Sequence, residues 1–171
     1  MELWHGSQKI IETPQLGLGK IHNDYGQGFS CTESDGFANR YELDIADLKV
    51  LDLLSPQYCV LHWIALLVEH RSFRKDTAIA AGACEYLHDH FLPQTSTCDV
   101  IRGWRADDSY FSYARAFVNN TITVDQLGRS MRLGNLGEQI VLKSERAFKS
   151  IRFAGFERAP QAQYGPLAKD R

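Results

Sequence analysis

With 171 residues and a mass of 19.4 kDa, the chain is long enough for one domain with a real core and too short for two ordinary ones. Hydrophobic residues at 44% and charged residues at 23% exclude wholesale disorder. A net charge of −2 and a pI near 6.3 exclude strong sequence-independent binding to duplex nucleic acid, though not a nucleic-acid substrate held in one local groove.

Residues 2–5 alternate loosely and predict a short first strand. Residues 12–28 hold one Pro among several Gly, too irregular for a long helix or strand, and predict a loop. A buried strand is expected at 28–32. Ser34 then offers a cap to a short helix carrying Phe37, Ala38 and Tyr41. Residues 48–53 predict a strand. Ser55 before Pro56 predicts a helix opening, because a hydroxyl caps and Pro at the first helical position gives up nothing. That helix carries Val60, Trp63, Ile64, Leu67 and Val68 at helical spacing. A second helix opens at Asp76 and ends before Pro93.

Residues 98–102 predict a strand, and Asp108 or Ser109 a cap for a helix bearing Tyr110, Phe111, Ala114 and Phe117. Thr123 and Gln126 have the spacing of a capping box, for a helix that stops at Gly134. A strand at 139–143, a helical turn or two at 144–150 and a strand at 151–156 complete a single domain, residues 1–157. The Pro-containing tail, 158–171, is expected to be mobile. Strands flanking a helical middle argue for α+β rather than a doubly wound fold.

The longest apolar stretch, 59–68, is only about half of what spans a bilayer. Residues 1–5 lack the basic and hydrophobic regions of a secretory signal. A cytoplasmic protein with no membrane partner is therefore expected. Cys31, Cys59, Cys84 and Cys98 match no paired zinc spacing and read as ordinary buried thiols. His88, Asp89 and His90 form the one dense His/Asp cluster, but residues two apart on a helix face different ways, so no metal is expected.

Gly17 and Gly19 are followed by Lys20, Ile21 and His22, so a dinucleotide fingerprint fails at its third glycine. Three clusters carry more. Trp4, His5, Gly6 and Ser7 end the first strand, and a Gly beside a His lets a flat ligand approach the backbone; a core His beside a turn is the plainer alternative. Residues 23–32 place two glycines and an aromatic in a tight bend on which a ring can stack, or form an ordinary glycine-rich turn. Glu138 and Gln139 stand at the mouth of an apolar strand, where polar groups line a cleft or merely end the strand.

In that order, His5, Gly6 and Ser7, then Asp24, Gly26, Gly28, Phe29 and Thr32, then Gln139 before an apolar strand resemble domain of unknown function 3990. This family of small bacterial proteins is similar to the ADP-ribosyltransferases of the diphtheria-toxin-like branch. Asp99 to Gly103 with Ala106, Asp107 and Asp108, and the closing Gln139 to Ser144 with Ala147 and Phe148, resemble it too, so the likeness covers roughly residues 3–156.

The resemblance implies a split-sheet transferase fold, with NAD as co-substrate in the cleft between two small sheets. His5 would anchor the adenosine-side ribose, and the Gly6 backbone, beside Ser7, would pair with the nicotinamide amide. Asp24, Tyr25, Gly28, Phe29 and Thr32 would form the floor of the nicotinamide pocket. Gln139 holds the position of the relatives' catalytic Glu, and Ser30 that of their stacking Tyr, for which Tyr25 or Phe29 would substitute. The catalytic candidates are His5, Ser30, Glu138 and Gln139. Asp107 and Asp108 are further carboxylates for the cleft, whereas Glu138 should face away from Gln139. The first and penultimate strands are expected side by side.

The implied activity is modification of an intracellular macromolecule, protein or nucleic acid, by a toxin or phage-defence effector that an antitoxin-like partner neutralises. Because Ser30 and Gln139 replace the Tyr and Glu, a degenerate nucleotide- or partner-binding module and an NAD glycohydrolase stand as alternatives. Trp104 beside Arg105 offers a stack for a base, or an exposed basic loop. Arg71, Arg74 and Lys75 form a second small basic group, and the helix at 56–70 is either core or a docking face.

Overall fold

A computed structural model describes residues 1–7, 9–33, 39–106, 108–133 and 137–157. Among them are seven strands and five helices, an α+β chain. The strands are β1 (Glu2–His5), β2 (Phe29–Cys31), β3 (Asn39–Leu43), β4 (Val50–Asp52), β5 (Val100–Trp104), β6 (Glu138–Leu142) and β7 (Ile151–Phe156). The helices are α1 (Val60–His70), α2 (Ala78–Phe91), α3 (Asp108–Val118), α4 (Val124–Leu133) and α5 (Glu145–Ser150). One sheet has the order β1-β3-β7 and the other β2-β6-β5-β4, with β4 and β5 parallel and every other pair antiparallel. The sheets touch where Trp4 and Thr32 exchange N–H···O bonds of 2.8 and 2.9 Å.

Each face of the four-stranded sheet covers a core. Leu142 pairs with Phe29 and Val100, and this face joins Leu3, Tyr41 and Ile140 between the sheets. Val141 pairs with Ser30 and Ile101, and that face meets Leu51, Trp63, Ile64 and Leu127 beneath the helices. Period-two alternation explains why β6 reads as an unbroken Ile-Val-Leu run: both of its faces are buried. The same fact corrects the expected neighbour of β1. A strand apolar on both sides belongs inside a sheet, so β6 lies between β2 and β5, and β2 separates it from β1.

Tyr41 lies in β3 rather than in a short helix, its ring wholly buried between the sheets. Ser34, Phe37, Ala38, the Gly134 stop and the 158–171 tail lie outside the described residues. α1 opens at Val60, not at Pro56. Ser55 spends its hydroxyl backwards on the Asp52 carbonyl at 2.8 Å, and Asp52 Oδ1 accepts from Leu54 N–H, so 52–58 are turns. Cys59 is the residue that caps α1, its N–H donating to His62 Nδ1 at 3.1 Å. α1 buries the unbroken run Trp63 to Leu67, which makes it a core helix. α2 is capped one residue late, by Thr77 Oγ1 accepting from Ala80 N–H. The Thr123–Gln126 box closes as predicted, with reciprocal bonds of 2.8 and 3.2 Å, and Ser144 caps α5. No helix among the described residues is long and apolar enough to cross a membrane.

Candidate functional site

Past the Trp4–Thr32 bridge, His5 and residues 28–30 frame a notch that forms a cavity of about 440 Å³. His5, at the end of β1, is half-buried there, stacked on Phe29 with ring centroids 4.4 Å apart. Its Nδ1 lies 2.7 Å from the Ser30 carbonyl oxygen. A carbonyl only accepts, so Nδ1 carries the proton, and whenever the ring is neutral Nε2 is left as an acceptor. Ser30 Oγ accepts in turn from Asn23 Nδ2 at 3.1 Å. His5, Asn23, Gly28, Phe29 and Ser30 thus share one cavity.

The opposite wall comes from residues 11–20, a segment without regular structure that is nonetheless fastened at both ends. Asn39, buried in β3, accepts from Ile11 N–H and donates to the Lys9 carbonyl, while the Tyr41 hydroxyl donates to the Ile11 carbonyl at 2.6 Å. At the other end Gln27 Nε2 donates to the carbonyls of Gly17 and Gly19. Gly19 packs directly on the Gly28 carbonyl, leaving no room for a side chain. Gly17 and Gly19, which fail as a dinucleotide fingerprint, are therefore used for close approach of this wall to the floor. Lys20 brings a cation to the rim. Only the local Gly-Leu-Gly pattern pointed to this wall, because its anchors Asn39 and Tyr41 are far away in sequence.

The remaining candidates of the glycine-rich segment separate. Asp24 is buried, with Oδ1 on Arg71 Nη1 at 2.7 Å and Oδ2 on the Ala106 amide at 2.9 Å. Tyr25 is wholly buried beneath the helices, and its hydroxyl donates to the Trp104 carbonyl at 2.6 Å. Burial pushes its pKa up. Neither lines the cavity. Gly6 is exposed beside His5, and a Cβ there would meet nothing within 4 Å. Ser7 Oγ accepts from Lys9 N–H, and Thr32 forms the bridge to Trp4. Asp107 lies outside the described residues.

On β6, Gln139 is two residues from Val141, the partner of Ser30, so Gln139 and Ser30 share a face of the sheet. Gln139 is 9% exposed and does not line the cavity, and its buried Oε1 has no hydrogen-bond partner among the described residues. Leaving a buried acceptor unpaired costs about 1–3 kcal/mol. Glu138 faces the other way and grips Arg102, whose Nη2 and Nε lie 2.6 and 3.1 Å from one carboxylate oxygen. Asp52 and Glu33 also approach Arg102, at 3.6 and 3.8 Å.

Cys31 and Cys84 are buried, Cys98 is half-buried, and Cys59 is exposed at the start of α1, which corrects the expectation of four buried thiols. His88 and His90 lie on the last turn of α2, His88 beside Asp89 and His90 against the Tyr86 ring. Arg71 leaves the basic group at 71–75 for its partnership with Asp24. Trp104 is half-buried, lining a separate cavity of about 740 Å³ with Trp63, Tyr58 and Arg129, and Arg105 is exposed.

A family model described as "Protein of unknown function (DUF3990)" matches residues 1–41 and 33–153, nearly the whole described chain. No curated protein and no solved structure matches it.

Proposed function

The chain belongs to the DUF3990 family, and we propose that it is an NAD-dependent ADP-ribosyltransferase acting on an intracellular macromolecule, with NAD taken up in the cavity at the end of β1. The observation that carries this proposal is His5: one ring nitrogen is fixed on the Ser30 carbonyl, and the other is left to accept from a ribose hydroxyl. The donor set of the notch suits a dinucleotide. Phe29 and His5 give a flat wall and Lys20 gives a cation for phosphate; Gly6 adjoins His5 with exposed backbone, and Gln139 lies outside the cavity's lining. A toxin or phage-defence role, with a partner that neutralises it, is part of the same proposal.

In the proposed step the bond between the ribose and nicotinamide breaks, and nicotinamide leaves with the electron pair. A nucleophile of the acceptor then bonds to the ribose carbon and gives up its proton. Positive charge builds on the ribose as it does in glycoside hydrolysis. Gln139 would hold a ribose hydroxyl, and the negative end of its amide dipole would favour that charge less strongly than a carboxylate.

A second proposal, a binding module that does not cleave NAD, draws support from Glu138. The carboxylate adjoining Gln139 is turned to the opposite face and held by Arg102, so it brings no charge to the face that Gln139 occupies. Incubation with labelled NAD and cell lysate, followed by protease or nuclease, separates the outcomes. Transfer of label that is lost in His5→Ala and Gln139→Ala supports the transferase and identifies the acceptor class. NAD binding without nicotinamide release supports the binding module, and free ADP-ribose without labelled product indicates a glycohydrolase.

A further inference from the structure

Residues 24–27 do not line the cavity, yet each is fastened from another part of the fold. Asp24 is held by Arg71, at the end of α1, and by the Ala106 amide beyond β5. Arg71 also donates to the Ala106 carbonyl at 3.1 Å and lies 4.1 Å over the Phe111 ring. Tyr25 is tied through its hydroxyl to the Trp104 carbonyl. Gly26 has φ +71° and packs on the His70 ring so closely that a Cβ would lie 2.9 Å from it. Lys143, the first residue past β6, donates its Nζ to the carbonyls of Tyr25 and Gln27 at 2.6 and 2.8 Å.

These attachments are costly to build and give little stability of their own. A half-buried lysine on two carbonyls has given up part of its hydration, and a buried Arg–Asp pair roughly breaks even against apolar packing. What they do fix is shape. The chain leaves Gln27 with its direction set and at once supplies Gly28, Phe29 and Ser30 to the cavity, and the Ser30 carbonyl orients His5. A side chain at Gly28 would strike the Leu142 carbonyl and Val141, so the floor cannot shift towards β6 to compensate for a lost tether.

We propose that Lys143 and Arg71 are positioning residues that hold residues 24–27 from behind, so that Gly28, Phe29, Ser30 and His5 stand ready for a dinucleotide. β6 then serves the cavity from its end, where Lys143 holds the carbonyls of Tyr25 and Gln27. The proposal rests on the cavity being the NAD site.

The test uses the full chain as Lys143→Met and Lys143→Arg, with hydrogen exchange of residues 22–30 and the KM and kcat of nicotinamide release. Lys143→Met is expected to speed exchange of that segment at least tenfold while α1 and α2 keep theirs. It should raise KM for NAD at least tenfold with kcat changed less than threefold, and Lys143→Arg should recover most of the loss. A merely structural lysine would lower Tm and leave KM of the folded protein unchanged. Wild-type exchange at 22–30 in Lys143→Met, or faster exchange with an unchanged KM, overturns the proposal. Should Lys143→Met fail to fold, Arg71→Lys is read the same way. If the wild type neither binds nor cleaves NAD, the function proposal fails instead, and the exchange comparison still decides whether the tethers hold the floor.

Discussion

Gln139 combines two demands that pull in opposite directions. Its oxygen is buried without a partner among the described residues, which the folded chain tolerates at a cost, and it stands on the face of the sheet shared with Ser30. Gln139→Met keeps the length and removes the unpaired oxygen, so it should raise stability by about 1–3 kcal/mol, while nicotinamide release falls by about 10²–10³-fold. Thermal melts and a release assay on the same preparation check both halves. A variant that gains no stability would show that the amide is satisfied within the fold. Two glycines make the complementary contrast. Gly6 has open space at its Cβ position and no unusual φ, so Gly6→Ala should melt like the wild type and lose NAD affinity. Gly28→Ala meets the Leu142 carbonyl at 2.6 Å and should lower Tm whatever the ligand. Calorimetric titration beside the melts distinguishes a glycine kept for a ligand from one kept for packing.

At the level of the element, the bend at 23–28 is where local sequence and distant structure part company. The Thr123–Gln126 box was legible because donor and acceptor lie three residues apart. Ser55 misled because its hydroxyl had a nearer acceptor in the Asp52 carbonyl. Asp24 and Tyr25 adjoin the cavity in sequence but turn away from it, towards Arg71 and Trp104, partners that only the tertiary fold supplies. The same bend has a pH dependence. Burial, reinforced by the Lys143 charge and opposed by Glu69, holds the His70 pKa below its ordinary 6.5. The folded chain then takes up a proton at His70 less readily than the unfolded chain does. The stability from the neutral ring is present above 6.5 and is lost as pH falls through the lowered value. Between about pH 8 and pH 5, the wild type should lose more Tm than His70→Gln, and equal losses would show that His70 does not contribute.

For the molecule as a whole, the decisive strand is β6, and here the sequence was half legible. The Ile140, Val141, Leu142 run announced a buried strand, but pairing is non-local, so its neighbours could not be read from it. In the fold, Ile140 faces the core between the sheets and Val141 the core beneath the helices. Adjacent residues of one rigid strand therefore report on two cores. If β6 couples them, the chain should unfold in one step, since melting either core strips the strand from the other. Ile140→Ala should cost about 2–5 kcal/mol, and Val141→Ala somewhat less, through cavity formation on opposite sides of the sheet. Each kcal/mol corresponds to about 2–4 °C in a domain of this size. Both substitutions, made in a Trp4→Phe background, should thus move a single transition downward, seen alike by far-ultraviolet circular dichroism and by tryptophan fluorescence, where Trp63 and Trp104 report the helical core. A melt that splits in Ile140→Ala, with the fluorescence transition left in place, would mean that the two cores fold independently.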